Sequence, residues 1–190
     1  MAAFQDLDNA QLMTRAANAL FIADMIGQLA VNGATMANQW NLANGRAGNG
    51  TDYGLIDASN GKRAPQYYAL KMWKSVGNRL LPVDSPLPDA TTLSTYATRS
   101  ADGTISVLAI NKTGAPLDVR ISLAGLTRTM HVSADVLDAE SLETTDVLYN
   151  ERINPAPDLS NAPAKALGPA TGTFDYSFVK YSLTVLHFRP

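Results

Sequence analysis

The stretch LSTYATRSADGTISVLAINKTGAPLDVRISL, residues 93–123, decides the fold class. Apolar and polar side chains alternate along it, and the turn signals Asp102-Gly103 and Thr113-Gly114 divide it into short segments. A period of two is typical of strands with one buried face, and Asp-Gly is a hairpin signal. The stretch therefore predicts three strands, over Leu93–Thr98, Thr104–Asn111 and Leu117–Leu123.

The same pattern returns nearer the C-terminus. Met130–Leu137 and Tyr181–Phe188 also have the character of strands, and no helical stretch separates the strand candidates. Short strands at a spacing of roughly ten residues predict an antiparallel β-sandwich. Asn154–Ala170 contains four prolines and little periodicity, which predicts a long surface loop.

The first part of the chain has a helical period instead. Apolar residues recur at steps of three and four over about 9–32, and Pro65 opens a second stripe over about 65–77. Between these predicted helices, Thr35–Trp40 is a short apolar run typical of a buried strand, and 53–56 is a short extended piece. Helix, strand, loop and helix in this order are typical of an α/β unit.

A stiff connector separates the two parts, because Pro82, Pro86 and Pro88 fall within seven residues. We therefore predict an α/β segment over 1–82 and a β-sandwich over 83–190. The expected fold is mainly β.

Composition limits the function. The 190 residues fall short of the roughly 250 that a complete (β/α)8 barrel uses. The net charge of −2 lacks the basic field that nucleic acid or an anionic membrane attracts, so we expect neither partner. Cysteine is absent, so there is no thiolate metal site or cysteine nucleophile. Asp6 and Asp8 lie where a signal peptide is basic, and we expect no export signal within the chain.

Residues for acid, base or metal chemistry are few. The three glutamates, Glu140, Glu143 and Glu151, fall beside predicted strands, where solvated turn carboxylates are expected. The two histidines, His131 and His187, lie on separate predicted strands and can meet only if those strands pair. No nucleophile elbow or phosphate-binding loop is present. We predict no catalytic residue, metal site or cofactor.

A carbohydrate-binding signature remains. Asn38, Gln39, Trp40 and Asn41 end the predicted strand, and Tyr53 follows a Gly-rich loop. Aromatic faces stack on sugar rings, and side-chain amides both donate to and accept from hydroxyls. Trp40, Asn38, Asn41 and Tyr53 are therefore the candidate substrate-binding residues. A buried tryptophan with an internal partner for its indole N–H is the competing interpretation.

Three stretches carry a family resemblance. NALFIADMIGQLAVNGATMANQWNL, TDYGLIDASNGKRAPQYYALKMWKSVGNRLLPV and KYSLTVLHF resemble the C-terminal part of clan A glycoside hydrolases, closest to arabinofuranosidase and endoglucanase-like members. The resemblance implies the end of an incomplete (β/α)8 barrel followed by a β-sandwich. Residues 9–32 would form the seventh barrel helix, Thr35–Trp40 the eighth strand and 65–77 the eighth helix, and Trp40 would floor a sugar subsite.

The resemblance also implies what this chain lacks. The two catalytic glutamates of the family lie at the ends of the fourth and seventh barrel strands, which would precede Met1. We therefore expect a C-terminal accessory portion of a polysaccharide-degrading glycoside hydrolase that is inactive alone and can contact plant cell-wall polysaccharide. The parent enzyme would be secreted or periplasmic, and bacterial exported proteins commonly lack cysteine.

An eighth barrel strand without neighbours has unpaired edges. We therefore expect the two helices to pack on the sandwich or on a second copy of the chain. In related enzymes the sandwich borrows a strand from residues before the barrel, so an open sheet edge is a second route to homo-oligomers.

Two other functions stay open. A free-standing carbohydrate-binding module predicts exposed, coplanar aromatic residues on one sandwich face. The candidates for that face are Tyr96, Tyr149, Phe174, Tyr176 and Tyr181. A small hydrolase with a new site would use aspartates instead of glutamates. The candidates for that site are Asp24, Asp52 and Asp57.

Overall fold

The computed structural model of the protein describes residues 12–45, 53–88 and 91–190. A 3-10 turn, Leu12–Thr14, precedes the helices α1 (Ala16–Val31) and α2 (Pro65–Lys74). The strands, in chain order, are β1 (Ala43–Asn44), β2 (Ile56–Asp57), β3 (Arg79–Leu81), β4 (Leu93–Arg99), β5 (Ile105–Asn111), β6 (Leu117–Ser122), β7 (Met130–Asp138), β8 (Leu148–Tyr149), β9 (Arg152–Ile153), β10 (Lys165–Ala170), β11 (Thr173–Phe178) and β12 (Ser182–Arg189).

Helix α1 is shorter than the predicted 9–32 at its N-terminal end, because Arg15 is extended, with φ −104° and ψ 164°. The first amides of α1 are capped by a distant loop: Ala16 N donates to Thr144 O at 2.8 Å and Ala17 N to Leu142 O at 3.0 Å. The predicted caps, Asp8 and Asn9, lie outside the described residues. The predicted exit is confirmed, since Gly33 has φ 79° directly after the helix.

Both helices pack on one face of the large sheet. The predicted α1 stripe is buried there through Ala16, Ala19, Leu20 and Ala23, and one cluster joins it to α2 and to the strands. The most buried sheet and α2 residues of this cluster are Tyr68, Ala69, Met72, Leu108, Ile110, Leu137, Leu183 and Val185. The sandwich thus covers the apolar stripes of both helices. This is the first of the two arrangements expected from the sequence.

The large sheet has eight strands in the order β3-β4-β5-β12-β7-β8-β9, with β10 also paired to β7. All its pairs are antiparallel. The strands predicted at 93–98, 104–111, 130–137 and 181–188 correspond to β4, β5, β7 and β12, which form its centre. The predicted antiparallel sandwich is therefore confirmed, with a mainly β fold.

The second layer is the two-stranded antiparallel sheet β6-β11. Its inward side chains, including Val119, Ile121 and Phe174, pack over a second core that contains Phe178 and Phe188. Strand β6 was predicted, but β11 was not, although Phe174, Tyr176 and Phe178 alternate with polar residues. The two layers sandwich this second core, and the helices cover the opposite face of the large sheet.

The predicted loop over Asn154–Ala170 is wrong at its C-terminal end, which forms β10. Gly168 and Pro169 resemble a turn in sequence, yet the strand pairs with β7 through an irregularity between Ala166 and Gly168. Pro169 lies opposite His131, a position that an edge strand with a bulge tolerates.

The predicted buried strand Thr35–Trp40 is also wrong. The segment forms no strand in the structure, and Met36 and Trp40 are 79% and 76% exposed. A strand exists only where neighbouring backbones supply hydrogen bonds, and no described segment pairs with 35–40. The division into units 1–82 and 83–190 stays a prediction, while the helix-side core contains residues from both.

Candidate functional site

The candidate site is built on a short parallel pairing that brings the segment after α1 to the segment before α2. Strand β1 pairs with β2, with Ala43 opposite Ile56. Just before this pair, Leu55 N donates to Asn41 O at 3.2 Å. Residues about fourteen positions apart in sequence thereby share one surface.

Trp40 precedes β1 and Tyr53 precedes β2, so both residues lie at the same end of this parallel pair. The side-chain amide of Gln39 donates to Trp40 O at 2.9 Å and to Tyr53 O at 3.2 Å. The peptide bond between Trp40 and Asn41 is cis. Trp40 is 76% exposed, so its indole presents an open face. The interpretation of Trp40 as a buried core residue is thus wrong.

The four predicted sugar-contact residues differ in surroundings. The structure brings Trp40, Asn41 and Tyr53 together through Gln39 and the β1-β2 connection. Asn38 is exposed two residues before Trp40. Asn41 is half-buried, and its Oδ1 atom is buried with no hydrogen-bond partner among the described residues.

A buried polar contact links α2 to the segment just before β2, and it was not predicted. Gln66, fully buried in the first turn of α2, donates from Nε2 to Gly54 O at 3.2 Å. Its Oε1, like Asn44 Oδ1, has no partner among the described residues. Gly54 must remain small, because a Cβ there would lie 2.1 Å from Asn44 Oδ1. Only the Gly residue signalled this close approach in the sequence.

The candidate acids Asp24 and Asp57 both form hydrogen bonds or ion pairs within the fold. Asp24 accepts from Lys112 Nζ at 2.7 Å and from the Tyr96 hydroxyl at 2.6 Å. Burial acts to raise the pKa of Asp24, but hydrogen bonds from Lys112, Tyr96 and Ser94 outweigh it and hold the pKa below its usual value. Burial, and then the hydrogen bond to the Asp24 carboxylate, raise the pKa of the Tyr96 phenol.

Asp57 closes a local turn. Its Oδ1 accepts from Ser59 N at 2.9 Å and Ser59 Oγ at 2.6 Å, and its Oδ2 accepts from Asn60 at 3.1 Å. Asp52 lies outside the described residues. Glu140 forms an exposed ion pair with Lys180. The arrangement of Asp24 and Asp57 fits scaffolding better than proton transfer.

The two strands that carry the histidines do pair, but their register separates the histidines. His187 lies opposite Ser133, and His131 lies opposite Arg189. His187 is buried, with Nδ1 3.0 Å from Ser106 Oγ and Nε2 3.4 Å from Asp135 Oδ2.

Ser106 is only 1% exposed, so this serine, histidine and aspartate set has no access for a substrate. Among the described residues no cluster of three or more His, Asp or Glu side chains can hold a metal ion. No helix in the described ranges is long and apolar enough to cross a membrane.

The sandwich aromatics do not form an exposed platform. Tyr96 and Tyr149 are buried beneath the helices, with 4% and 6% exposure. Phe174 and Tyr176 are partly buried against the second core, and Tyr181 against the helix-side core. The exposed, coplanar row that a carbohydrate-binding module predicts is therefore not formed by these five residues.

Comparison with known proteins shows a fold similar to that of glycoside hydrolases. No protein-family profile and no curated protein sequence matches the chain. Solved glycoside hydrolases match it, however. The arabinose-bound α-L-arabinofuranosidase MgGH51 superposes with a TM-score of 0.68 and 19% identity over 93% of this chain and 28% of that chain.

Two further structures agree. A bifunctional glucanase-xylanase from a metagenome library gives a TM-score of 0.62 at 18% identity, over 93% of this chain and 28% of that chain. A family 30 xylanase from Clostridium acetobutylicum gives 0.61 at 15% identity, over 93% and 40%. The resemblance to clan A glycoside hydrolases is thus confirmed as a likeness of fold, and the chain spans less than half the length of these enzymes.

Proposed function

We propose that this chain is the C-terminal portion of a polysaccharide-degrading glycoside hydrolase and that it contributes a sugar-contact surface around Trp40. The observation that carries the proposal is the 76% exposure of Trp40, whose carbonyl oxygen accepts from the same Gln39 amide as that of Tyr53. The chain covers only 28–40% of the length of the glycoside hydrolases that it resembles.

The indole of Trp40 is 76% exposed and therefore accessible to a ligand. Its flat apolar face fits the apolar face of a pyranose or furanose ring, and neighbouring amides pair with ring hydroxyls. Asn38 is exposed two residues before Trp40 and supplies such an amide, whereas Asn41 is half-buried and its Oδ1 atom is buried. Plant cell-wall polysaccharide is the substrate class we propose, since the similar structures include a xylanase, a xyloglucanase and an arabinose-bound enzyme.

We propose that hydrolysis needs residues beyond those described here. Glycoside hydrolysis uses two opposed carboxylic side chains about 5 to 10 Å apart. Asp24 is held by Lys112 and Tyr96, and Asp57 by its own turn, so the carboxylates of both are engaged in structural contacts. Because its polymeric substrate lies outside cells, the parent enzyme is expected to be exported.

The two tryptophans allow a direct test, because Trp40 and Trp73 are the only ones in the chain. Trp73→Phe leaves Trp40 as the sole indole fluorophore. Arabino-, xylo- and gluco-oligosaccharides added at millimolar concentration should then shift or quench its emission. Saturation at millimolar sugar corresponds to about 4 kcal/mol of binding free energy.

The matched control is Trp40→Phe, in which only Trp73 emits. Trp73 donates to Ala23 O at 2.9 Å inside the helix packing, so sugars should leave its emission unchanged. A flat titration of the Trp73→Phe variant with all three sugar classes contradicts the sugar contact. Turnover of aryl arabinofuranosides, xylosides or glucosides by the purified chain, free of contaminants, contradicts the inactivity.

A further inference from the structure

The second layer of the sandwich has an open edge at β6. Strand β6 pairs with β11 on one side only, and within the described ranges no other strand joins this two-stranded sheet. Asp118, Arg120 and Ser122 are exposed along it, while the inward residues Val119 and Ile121 are only half-buried. An unpaired strand edge is a ready template for another strand.

The ladder shows which backbone groups face the open side. Leu123 N donates to Gly172 O at 2.7 Å, the position opposite it in the β6-β11 register. Hydrogen-bonded pairs alternate along an antiparallel ladder, so Val119 and Ile121 bond to β11. The N–H and C=O groups of Asp118 and Arg120 therefore point to the open edge.

The sequence of β6 is complementary to itself in one register. If two copies pair antiparallel with Val119 opposite its symmetry mate, Asp118 lies opposite Arg120 of the second copy, and Arg120 opposite Asp118. These are the residues whose backbone groups are free to exchange hydrogen bonds. A shift by two residues places Asp118 opposite Asp118 or Arg120 opposite Arg120, which like charges disfavour.

We infer that two copies of this chain associate through β6 into a symmetric dimer with a continuous four-stranded sheet, β11-β6-β6-β11. A two-fold axis through Val119 makes the same patch serve both partners, as in most protein dimers. On the inner side of that sheet, Leu117 meets Ile121 of the second copy. The pairing covers inward residues that one copy leaves half-exposed.

Strand β11 lacks this complementarity. Its only charged residue is Asp175, which already accepts from Arg120 Nε at 2.7 Å within the same chain. Self-pairing of β11 centred on Asp175 would oppose two carboxylates. Charge on an edge strand normally prevents association, and β6 is the edge on which the charges instead match across a two-fold axis.

This inference does not depend on the proposed function. The β6-β11 sheet lies over the core on one face of the large sheet and the helices cover the other face, and no β6 residue is among the proposed sugar-contact residues. Dimerisation and sugar contact can therefore each fail while the other holds.

The test is charge reversal followed by mixing, read by sedimentation. Asp118→Arg alone places two Arg–Arg pairs in the dimer, and Arg120→Asp alone places two Asp–Asp pairs. Each variant should dimerise at least about tenfold more weakly than the unaltered chain, since like charges directly opposite are destabilising. An equimolar mixture restores both opposite-charge pairs, so its affinity should return to near that of the unaltered chain.

A cysteine provides a second readout that does not depend on charge. The chain has no cysteine, and Val119 would face its symmetry mate in a non-hydrogen-bonded pair with Cα atoms about 4.5 Å apart, within disulfide range. Val119→Cys should form a covalent dimer on mild oxidation. Val83→Cys, at a position 42% exposed in the linker, should not exceed the background of random cross-linking.

Asp146→Asn is the charge control, because Asp146 lies outside the β6-β11 sheet and pairs with Lys62, so this variant should leave the dimer intact. Circular dichroism checks that each variant folds. A monomer at millimolar protein, a mixture that fails to restore association, or a Val119→Cys variant that cross-links no faster than Val83→Cys overturns the inference. Phe21 on α1 is 53% exposed, so a dimer that survives both charge reversals and is abolished by Phe21→Asp also overturns the inference.

Discussion

The inner face of α1 and the segment that follows α1 are adjacent in sequence but differ in packing. Along α1, Ala19 and Ala23 are at most 1% exposed beneath α2 and the large sheet. A few residues later, Met36, Trp40 and Leu42 are 79%, 76% and 67% exposed. Apolar character alone therefore does not determine burial here: the described chain covers the inner side chains of α1 but leaves those of Met36, Trp40 and Leu42 mostly exposed.

The first prediction uses one residue type in both regions. Met72 on α2 is 1% exposed and Met36 is 79% exposed. Met72→Ala should lower the free energy of unfolding by about 3 kcal/mol, because it leaves a cavity between helix and sheet. Met36→Ala should change it by less than about 0.5 kcal/mol. Urea unfolding measures both, and equal losses would show that 34–42 is packed in solution.

The second prediction concerns how closely α1 approaches the sheet. A Cβ at Gly27 would lie 2.2 Å from the Tyr96 ring, which hydrogen bonds to Asp24 and Gln28 hold in place. Gly27→Val should therefore cost about 2 to 3 kcal/mol by overpacking.

The control for Gly27→Val is Ala30→Val on the same helix, where a half-exposed position should cost only the lower helix propensity, about 0.5 kcal/mol. Thermal unfolding compares the two variants. If Gly27→Val is no more costly than Ala30→Val, α1 does not sit against Tyr96 as described.

The third prediction tests the ion pair that anchors α1 to the sheet. Asp24→Asn should cost about 1 to 2 kcal/mol at neutral pH, because a partly buried Lys112 loses its partner and Tyr96 a charged acceptor. The pKa of Asp24 is lowered in the folded state, so its stabilisation is complete above the unfolded pKa of about 3.9 and is lost as pH falls through the folded value.

The difference in unfolding free energy between the unaltered chain and Asp24→Asn should therefore shrink below about pH 4. Asp84→Asn in the exposed linker controls for net charge and should show little difference at neutral pH. A gap that stays constant from neutral to strongly acidic pH would mean that the Asp24 carboxylate does not stabilise the fold.

The central strands were predictable because each carries its own evidence. Strand β7 alternates with a period of two, and β4 and β5 are short runs that end at the turns Asp102-Gly103 and Thr113-Gly114, so local sequence specifies all three. Strand β10 was missed because Gly168 and Pro169 indicate a turn, and only the pairing with β7 makes the segment a strand. Strand β11 alternates as clearly as β6, but its aromatic residues also fit a binding surface.

The candidate site also contains residues that could be predicted from the sequence and residues that could not. Trp40 and Tyr53 could be selected from residue type, since exposed aromatics and amides in a Gly-rich loop indicate sugar contact. Gln66 could not, because its contact with Gly54 joins residues twelve positions apart through the β1-β2 connection. The strand predicted over Thr35–Trp40 was wrong because an apolar run forms a strand only when neighbouring strands pair with it. Whether such neighbours exist cannot be read from the segment itself.

The smallest expected effect completes the comparison. Trp40→Ala should change the free energy of unfolding by less than about 0.5 kcal/mol, since an exposed side chain loses little contact. Trp73→Ala should cost about 3 kcal/mol, because Trp73 packs against Tyr96 and its indole donates to Ala23 O. The two variants distinguish a tryptophan that packs against the core, Trp73, from one that is exposed at the surface, Trp40. A cost for Trp40→Ala that approaches that of Trp73→Ala means that the indole is buried in solution, where it has no face free for a sugar ring.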